Sequence, residues 1–461
     1  MKVLAVSGPP KDFSGVVTLP PSKSYLHRAL FVSCLLPSGS KITGCGKRHS
    51  SDVSATVGAL KKLGGEIRFL PKEGGGTFLA RRGKPVKDGK IEIDCRGSGT
   101  TARLAISYAA LSPKGTTLRI FGDGSLTRRP MESIFSSLHS LGVQCRSENS
   151  SGTLPVLVEG GGIPGGECEI DGSVSSQFIS SLLISCTRAQ NKTKIRIKDP
   201  SKLVSKPYIA STLLVLEYFG FKAAALGDGS SKFAAFEIPG NQAPSPKNRT
   251  FKVPGDASSA AALVSAAIAS SGEIEILNYQ RKMPQPDSKI LEISRELGAE
   301  IRENPGGVLK IDATRVGSSS KKAMKLDLGD SPDLVPVVAA LAADRGINLE
   351  ITNVAHVRFK ESDRLTVLSR ELGKLGISTT LSPESLELRG GLSNPRERKP
   401  ILLDPEKDHR MLMALAVAGL SGKFGKILIK DPGCVAKSYP NFVKDIRRLC
   451  HGKNVVITAR T

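Results

Sequence analysis

The feature that most constrains the fold of this chain is a glycine that returns at a fixed interval. Equal intervals of 78 residues separate Gly64, Gly142, Gly220, Gly298 and Gly376. Each of them closes a segment with apolar residues at helical spacing, and glycine there is typical of a left-handed cap. A sixth segment of this kind, FVKDIRRLCHG, ends 76 residues later. An ordinary series of helices would be only roughly spaced, so the pattern predicts six copies of one unit.

Each copy also contains a strand, a polar turn and a helix rich in small residues. The first copy has LPPSKSYLHRAL from Leu19 to Leu30, and the others begin at Lys90, Glu167, Thr250, Met324 and Pro400. Strands followed by Gly, Ser or Asp turns and then helices indicate an α/β fold. The only long stretch rich in Pro, Asn and other polar residues, 238–255, separates the third copy from the fourth. We therefore predict two similar lobes of three copies each.

The turn of the first copy places cationic side chains at the start of a helix. Lys23 and Ser24 stand in this turn, and Arg28 follows one helical turn later. The first turn of a helix has unpaired N–H groups and a partial positive charge, so these side chains would form an anion pocket. The alternative is an ordinary N-cap provided by Ser22 or Ser24. Six such helix starts around a cleft between the lobes would suit a small ligand with several negative charges.

The net charge of +23 implies an acidic partner. Aromatic residues make up only 5% of the chain, Trp is absent and the basic residues are dispersed. Single-stranded nucleic acid would therefore find few side chains on which to stack, which favours a phosphorylated metabolite as the partner. A nucleic-acid-binding repeat protein is the alternative from another class.

The cysteines and the hydropathy pattern indicate an intracellular protein. The eight cysteines form no C-x-x-C pair or Cys/His cluster, so we expect reduced, mostly buried thiols rather than disulfides or zinc ligands. No apolar run approaches the ~18 residues that a bilayer crossing needs. The N-terminus has no extended apolar segment of the kind found in signal peptides. We expect a cytoplasmic location and no membrane partner.

The third and fifth turns carry polar side chains of different kinds. Ser175, Ser176 and Gln177 offer neutral polar groups at a helix start, either to position a ligand or simply to cap the helix. In the fifth turn, GDSPDLVP, we expect Asp330 to cap the helix and Asp333 to lie in its first turn. Asp333 needs no function to be favourable there, but at a ligand cleft it is a candidate general base.

Several charged residues stand at loops or helix starts in the last repeats. In HVRFKESDRLTVL, Lys360 precedes Glu361 and Arg364, which in the plain interpretation form a surface ion pair worth ~0.3–0.5 kcal/mol. Further cations stand in LTRRPMES, DHRM and CVAKSYPNF, and these are Arg129, Arg410 and Lys437. The sequence contains no phosphate-loop, dinucleotide or H-E-x-x-H motif.

Ten of these segments, in order from about Leu19 to Phe442, resemble one known family. They are PPSKSYLHRAL, GSGTTARL, RRPMESI, DGSVSSQFISSLL, LVSKPYIAST, PGDASSAA, PDLVP, RFKESDRL, DHRM and CVAKSYPNF. On these motifs the chain is identified as a member of the 5-enolpyruvylshikimate-3-phosphate (EPSP) synthase family. VSSQF, LVSKPYI, KESDR and DHRM are nearly diagnostic singly, and the resemblance spans essentially the whole chain.

The resemblance implies a two-lobed inside-out α/β barrel of six βαβαββ repeats, three per lobe. One lobe would comprise 23–248, the other 1–22 and 249–461, and the active site would lie in the cleft between them. The implied reaction transfers the enolpyruvyl group of phosphoenolpyruvate to the 5-hydroxyl of shikimate 3-phosphate and releases phosphate. It proceeds by addition and elimination through a tetrahedral intermediate. The family also implies that no metal or organic cofactor takes part, and we expect a monomer.

The resemblance also implies site residues. Those expected to hold shikimate 3-phosphate are Lys23, Ser24, Arg28, Ser175, Ser176, Gln177, Ser205, Asp333, His356 and Lys360. Those expected to meet phosphoenolpyruvate are Lys23, Gly99, Arg129, Gln177, Arg364, Arg410 and Lys437. Asp333 would be the base for the 5-hydroxyl and Glu361 the acid or base at the methylene carbon, with Lys23 and Lys437 stabilising charge. Arginine forks bind phosphate and carboxylate, which gives the three arginines a reason to converge.

Two positions depart from the family pattern. Gly97 stands where an asparagine amide usually lies near phosphoenolpyruvate, and His356 stands where many members have asparagine against the shikimate ring. A sister enzyme with the same fold transfers enolpyruvyl to UDP-N-acetylglucosamine. It uses a loop cysteine in a Pro-Gly-Gly-Cys setting, which this sequence lacks, since Cys95 and Cys145 lie in other contexts.

Overall fold

The fold was obtained from a computed structural model of the chain. It describes residues 2–47, 49–72, 75–86, 89–229, 231–244, 246, 248–304, 306–316, 323–389, 399–452 and 454–459. The chain divides into two compact units, one formed by Pro21–Pro254 and the other by Met1–Pro20 with Gly255–Thr461. Residues 245 and 247 of the polar stretch expected between the third and fourth copies lie outside the described residues.

The described residues form 24 strands and twelve α-helices. The strands are β1 (Lys2–Val6), β2 (Ser14–Thr18), β3 (Ser40–Thr43), β4 (Gly65–Leu70), β5 (Thr77–Arg82), β6 (Gly89–Asp94), β7 (Thr116–Phe121), β8 (Cys145–Ser147), β9 (Val156–Glu159), β10 (Gly166–Ile170), β11 (Thr193–Ile197), β12 (Ala224–Leu226), β13 (Ala235–Ile238), β14 (Thr250–Lys252), β15 (Glu273–Leu277), β16 (Glu300–Asn304), β17 (Val308–Asp312), β18 (Ala323–Asp327), β19 (Asn348–Thr352), β20 (Ser378–Leu381), β21 (Leu386–Arg389), β22 (Ile401–Leu403), β23 (Ile427–Lys430) and β24 (Val455–Ala459). The helices are α1 (Lys23–Ser33), α2 (Ser51–Lys62), α3 (Gly99–Ala109), α4 (Glu132–Ser140), α5 (Ser176–Ser185), α6 (Lys206–Tyr218), α7 (Ala257–Ala269), α8 (Ile290–Glu296), α9 (Val335–Arg345), α10 (Arg364–Lys374), α11 (His409–Leu420) and α12 (Phe442–Leu449).

The strands form six four-stranded sheets with one shared pattern. In the sheet β6-β7-β9-β8, β6 and β7 are parallel, and β9 pairs antiparallel with both β7 and β8. The sheets β10-β11-β13-β12 and β18-β19-β21-β20 repeat this arrangement. A parallel pair requires a crossover, which α3, α5 and α9 supply in these three copies. The six copies predicted from the glycine spacing are confirmed.

Two strands pair outside the repeat in which they stand. β2 precedes α1 in the chain but pairs parallel with β15 of the fourth repeat. Conversely, β14 precedes α7 but pairs parallel with β3 of the first repeat. The N-terminal strand β1 completes the sixth sheet between β23 and β24. The sequence period does not reveal this exchange, because it shows where strands recur along the chain and not which strands they pair with.

The closing helix of every repeat ends as the glycine spacing predicts. The backbone φ angles are 86° at Gly64, 82° at Gly142, 80° at Gly220, 94° at Gly298, 82° at Gly376 and 84° at Gly452. This left-handed region is the one that a residue with a Cβ atom adopts at a cost, so glycine is favoured there.

Small residues in the crossover helices allow those helices to be buried on every side. All twelve residues of α11 are buried, as are twelve of the thirteen in α7. A helix that is apolar around its whole circumference belongs in a core, here the core of the unit that contains Gly255–Thr461. All eight cysteines are free thiols, and all but the half-buried Cys434 are buried, as expected. Among the described residues, none of the helices combines the length and the hydropathy that a bilayer crossing requires.

Candidate active site

In the unit Pro21–Pro254, the start of α1 holds Lys23 against a carboxylate. Lys23 Nζ lies 2.8 Å from Oδ2 of Asp52, a buried residue in the first turn of α2. Ser22 precedes the helix, but within the described part of the chain its buried hydroxyl has no hydrogen-bond partner and caps no N–H. The N-cap interpretation therefore does not account for Ser22. Ser24 is half-buried, and its carbonyl accepts a hydrogen bond from Arg28.

Arg28 is buried and locked in place by neighbours from two other helices. Its Nε donates to Thr212 Oγ1 at 2.7 Å, and its Nη2 donates to Ser180 Oγ at 3.3 Å and to the Tyr208 carbonyl at 3.1 Å. Burial lowers the pKa of Arg28 to about 10, so the guanidinium keeps its charge at neutral pH. Because the guanidinium is already held in place, it can bind an anion without a further loss of side-chain freedom.

The start of α5 presents Gln177 between two other polar groups. Arg103 Nη1 donates to Gln177 Oε1 at 2.9 Å, and Gln177 Nε2 donates to Thr100 Oγ1 at 3.0 Å. Ser175 is the N-cap, because its hydroxyl accepts from the Gln177 N–H at 3.3 Å. Ser176 is buried directly after it. The structure thus brings Gln177 into contact with α3. Ser175 caps α5, which was the alternative to a ligand-positioning role in the sequence analysis.

Gly99 and Arg129 fit closely at the start of α3. A Cβ atom at position 99 would stand 2.6 Å from Arg129 Nη1, so a larger residue there would displace the buried Arg129 guanidinium from this helix start. Ser205 is buried at the N-cap of α6 and adopts a left-handed φ of 57°.

Gly97 follows Arg96, which is itself left-handed with φ of 48°. The Arg96 N–H donates to Asp94 Oδ1 at 2.7 Å, so the turn closes through an aspartate carboxylate.

In the other unit, Asp333 lies between two buried arginines. Its Oδ1 accepts from Arg364 Nη1 at 2.8 Å, and its Oδ2 accepts from Arg410 Nε at 3.1 Å. The helix α9 begins only at Val335, so Asp333 precedes the first turn that we expected it to occupy. The expected capping role of Asp330 is also wrong, since the N-cap position is Leu334.

Arg364 is the centre of a charged network. Besides Asp333, it donates to Asp408 Oδ2 at 2.9 Å through Nε and to Glu361 Oε2 at 3.2 Å through Nη2. Its side chain is only 1% exposed, so the interpretation of Glu361 and Arg364 as a surface ion pair is wrong. Glu361 Oε1 also lies 3.3 Å from Lys437 Nζ. Arg364 and its partners thus form one network of five predicted residues within this unit: Asp333, Glu361, Arg364, Arg410 and Lys437.

The arginines control the protonation of Asp333. Burial works to raise its pKa, but the charges of Arg410 and Arg364, with a contribution from Lys360, hold the pKa well below its usual value. In this arrangement Asp333 is ionised and a weak base. An anionic ligand that shared the two arginines would raise the pKa of Asp333 and make it a stronger base.

His356 is buried in a short 3₁₀ segment beside this network. Burial, together with the charges of Lys360 and Arg364, lowers its pKa to about 3, so the ring is neutral at physiological pH. Within the described part of the chain, its buried Nε2 has no hydrogen-bond partner. A neutral ring nitrogen of this kind is able to donate to, or accept from, a hydroxyl.

Four charged residues in these networks were not predicted from the sequence, namely Asp52, Arg103, Asp408 and Asp256, whose Oδ1 lies 3.9 Å from Arg410 Nη2. Asp256 and Asp408 are the N-caps of α7 and α11, and each accepts a backbone N–H through Oδ1. The sequence signal was present, because each aspartate directly precedes a helix rich in small residues. This signal is the same as that of any N-cap, and a second role is visible only in the tertiary contacts of Asp408 with Arg364 and of Asp256 with Arg410.

Comparisons with known proteins show which family the chain belongs to. The family model described as EPSP synthase (3-phosphoshikimate 1-carboxyvinyltransferase) matches residues 8–446. The 3-phosphoshikimate 1-carboxyvinyltransferase of Korarchaeum cryptofilum is 36% identical over 447 residues, covering 95% of this chain and 97% of that protein. The enzyme of the same name from Methanocaldococcus jannaschii is 35% identical over 443 residues, covering 96% and 97%.

The solved structures agree as well. EPSP synthase from Acinetobacter baumannii superposes with a TM-score of 0.75 at 24% identity, and the match covers 100% of both chains. At this identity the likeness supports the fold alone. The fold predicted from the repeats and motifs is confirmed.

Proposed function

We propose, since the chain belongs to the EPSP synthase family, that it is a 3-phosphoshikimate 1-carboxyvinyltransferase of the shikimate pathway. It moves the enolpyruvyl group of phosphoenolpyruvate to the 5-hydroxyl of shikimate 3-phosphate and releases phosphate. The observation that carries this proposal is the position of Asp333 between Arg364 and Arg410, with Glu361 and Lys437 in the same network. These are the anion-binding and proton-transferring groups that the reaction needs.

Shikimate 3-phosphate binds through groups from both units. Arg28 and Lys23 attract its phosphate, and the hydroxyls of Ser24, Ser175, Ser176 and Ser205 with the Gln177 amide hydrogen-bond its oxygens. The buried charge of Arg28 and its fixed geometry support this role. From the other unit, Asp333, Lys360 and His356 meet the ring hydroxyls. The neutral His356 ring replaces the asparagine of many family members as a hydrogen-bonding group.

Phosphoenolpyruvate is held by Arg364, Arg410 and Lys437 from one unit, and by Lys23, Gly99, Arg129 and Gln177 from the other. Its carboxylate is a planar acceptor and its phosphate presents three acceptor oxygens, and both can accept paired hydrogen bonds from a guanidinium. When they bind, Arg364 and Arg410 share their charge with the ligand, and Asp333 becomes basic enough to take the proton of the 5-hydroxyl.

The chemistry then proceeds in two steps. In the addition step, the 5-oxygen bonds to C2 of phosphoenolpyruvate while Glu361 delivers a proton to the methylene carbon, which becomes a methyl group. In the elimination step, Glu361 takes one proton back from that methyl group, a C2=CH₂ double bond forms and the C2–O bond to phosphate breaks, with Lys23 and Lys437 stabilising the departing charge. Glu361 is suited to both proton transfers because Arg364 and Lys437 hold it in place.

We further propose that the site assembles in a cleft as the lobes 23–248 and 1–22 with 249–461 close on the substrate. Because the proposed ligand contacts come from both units, neither unit contains a complete site. Solution scattering tests this point, since shikimate 3-phosphate should lower the radius of gyration and an unchanged value would contradict closure. We propose that the enzyme acts as a cytoplasmic monomer without nucleic-acid partners, and size-exclusion chromatography with light scattering tests the monomer.

Phosphate release tests the function. Purified protein should release phosphate from phosphoenolpyruvate only when shikimate 3-phosphate is present. UDP-N-acetylglucosamine, the acceptor of the sister enzyme, provides the control. Release that depended on this acceptor, or no release with either acceptor, would contradict the proposal.

A further inference from the structure

Asp287 is a buried carboxyl group that takes no part in the proposed proton transfers or ligand contacts. It lies in the 3₁₀ segment Pro286–Lys289 and is only 1% exposed. Ser258 Oγ donates a hydrogen bond to its Oδ2, whereas Oδ1 has no hydrogen-bond partner within the described part of the chain. The segment is tied to the turn before α9, because Ser331 Oγ donates to the Pro286 carbonyl at 3.0 Å. This is the turn that carries Asp333.

The charged and polar groups that act on Asp287 come from three neighbouring elements, whereas the charged residues of the adjoining α8 are exposed. These groups are Asp333 from the turn before α9, Arg410 from α11, and Asp256 and Ser258 from the start of α7. Arg410 Nε lies 3.1 Å from Asp333 Oδ2, and Arg410 Nη2 lies 3.9 Å from Asp256 Oδ1. Asp287 also acts electrostatically on Arg410. Two carboxylates therefore contact this guanidinium, and the buried carboxyl group of Asp287 lies near enough to act on it electrostatically.

Three ionised carboxylates around one buried guanidinium would repel one another strongly. Asp333 is the one that bonds directly to both Arg364 and Arg410, so it retains the negative charge. Burial and the charge of Asp333 together raise the pKa of Asp287 above its usual value. A neutral Asp287 removes the third negative charge from the arginine.

We propose that Asp287 is a positioning residue for the reaction, kept as a neutral acid so that the charge of Arg410 is available to Asp333 and to the phosphoenolpyruvate anion. This inference rests on the proposed function. Ionisation of Asp287 would add a third negative charge to the two carboxylates that contact Arg410. That charge would compete with phosphoenolpyruvate for the guanidinium and weaken its binding at alkaline pH.

The test is the pH dependence of KM for phosphoenolpyruvate in the wild-type protein and in Asp287→Asn. Asparagine has the shape of the neutral acid but does not ionise. We expect the wild-type KM to rise ~10-fold between about pH 6 and about pH 9 as Asp287 ionises, and we expect Asp287→Asn to lack this rise. At about pH 6 the variant should match the wild-type KM and kcat, because both then carry a neutral group.

Asp344→Asn is the matched control. Asp344 is also 1% exposed, its pKa is also raised by burial, and it lies at the opposite end of α9 from Asp333. This variant should keep the wild-type pH profile. Denaturant unfolding gives a readout without activity, since a raised pKa destabilises the fold as pH rises, and Asp287→Asn should gain stability over wild type at alkaline pH.

Two outcomes would overturn the inference. One is an Asp287→Asn profile with the same alkaline rise in KM as wild type, and the other is a higher KM already at about pH 6. A wild-type protein that released no phosphate would instead overturn the proposed function, so the two failures are distinguishable.

Discussion

Asp333 Oδ1 accepts a hydrogen bond of 2.8 Å from Nη1 of Arg364, a residue whose side chain is 1% exposed. The negative charge of the base proposed for the 5-hydroxyl is thus balanced by an arginine proposed to bind phosphoenolpyruvate. The arginines hold the pKa of Asp333 well below its usual value although burial acts to raise it. This relationship couples base strength to anion binding, because the ligand and the carboxylate share one guanidinium.

Asp333→Asn should lower kcat by ~10²-fold or more, because the amide retains the shape of the side chain but takes no proton. Shikimate 3-phosphate should still bind, which isothermal titration would show. Asp330→Asn, three residues earlier in the same turn, is the matched control and should keep its turnover. Near-normal turnover in Asp333→Asn would remove the proposed base.

Arg28→Lys should raise the KM for shikimate 3-phosphate by ~10-fold or more with a smaller change in kcat. Lysine keeps the charge but loses the fork that now bonds Thr212, Ser180 and the Tyr208 carbonyl. Steady-state kinetics would measure the effect, and Arg146→Lys on the exposed face of β8 is the control. Equal KM values for both variants would contradict the assignment.

Arg364→Ala should weaken phosphoenolpyruvate binding and also destabilise the fold. Its removal leaves the buried Asp408 without its 2.9 Å ion pair, and breaking a buried pair in this way costs about 3–5 kcal/mol. Urea unfolding and KM for phosphoenolpyruvate measure the two effects. Arg358→Ala, which breaks the more exposed pair with Asp363, should lose much less stability. Similar losses in the two variants would contradict the central position of Arg364.

His356 should make the folded protein less stable as pH falls below about 6.5, the usual histidine pKa. The folded-state pKa is lowered to about 3, so the unfolded chain binds a proton that the folded protein does not. Between about pH 6.5 and 5.5 this difference costs about 1 kcal/mol, and His356→Asn should lose that much less stability over the same interval. His27, whose pKa is also lowered by burial, would still contribute in the variant. Identical pH slopes for the wild type and His356→Asn would show that the ring is not held neutral.

The repeats could be predicted from the sequence because their signals are local. A left-handed glycine after an amphipathic helix, as at Gly298, is written in a few consecutive residues. The pairing of β2 with β15 and of β14 with β3 could not be predicted, because it depends on contacts more than 200 residues apart. Hydropathy periods indicate which face of a strand is buried but not which sheet the strand joins.

The site shows the same limit. Family motifs indicated Asp333, Arg364 and Arg410, but the motifs do not say that Asp333 bonds to both arginines. Asp408 was invisible to this reasoning because an aspartate before a helix is an ordinary N-cap, and its second oxygen binds Arg364 through a tertiary contact. The ion pair of Glu361 with Arg364 was expected at the surface because sequence spacing carries no information about burial.

The most direct test of enolpyruvyl transfer is the mass spectrum of the products formed from phosphoenolpyruvate and shikimate 3-phosphate in D₂O. Addition delivers a solvent deuteron to the methylene carbon and elimination removes one of the three hydrogens there. We predict phosphate and an enolpyruvyl ether of shikimate 3-phosphate that carries deuterium in its vinyl group. Shikimate 3-phosphate recovered without an enolpyruvyl group would contradict the proposed function.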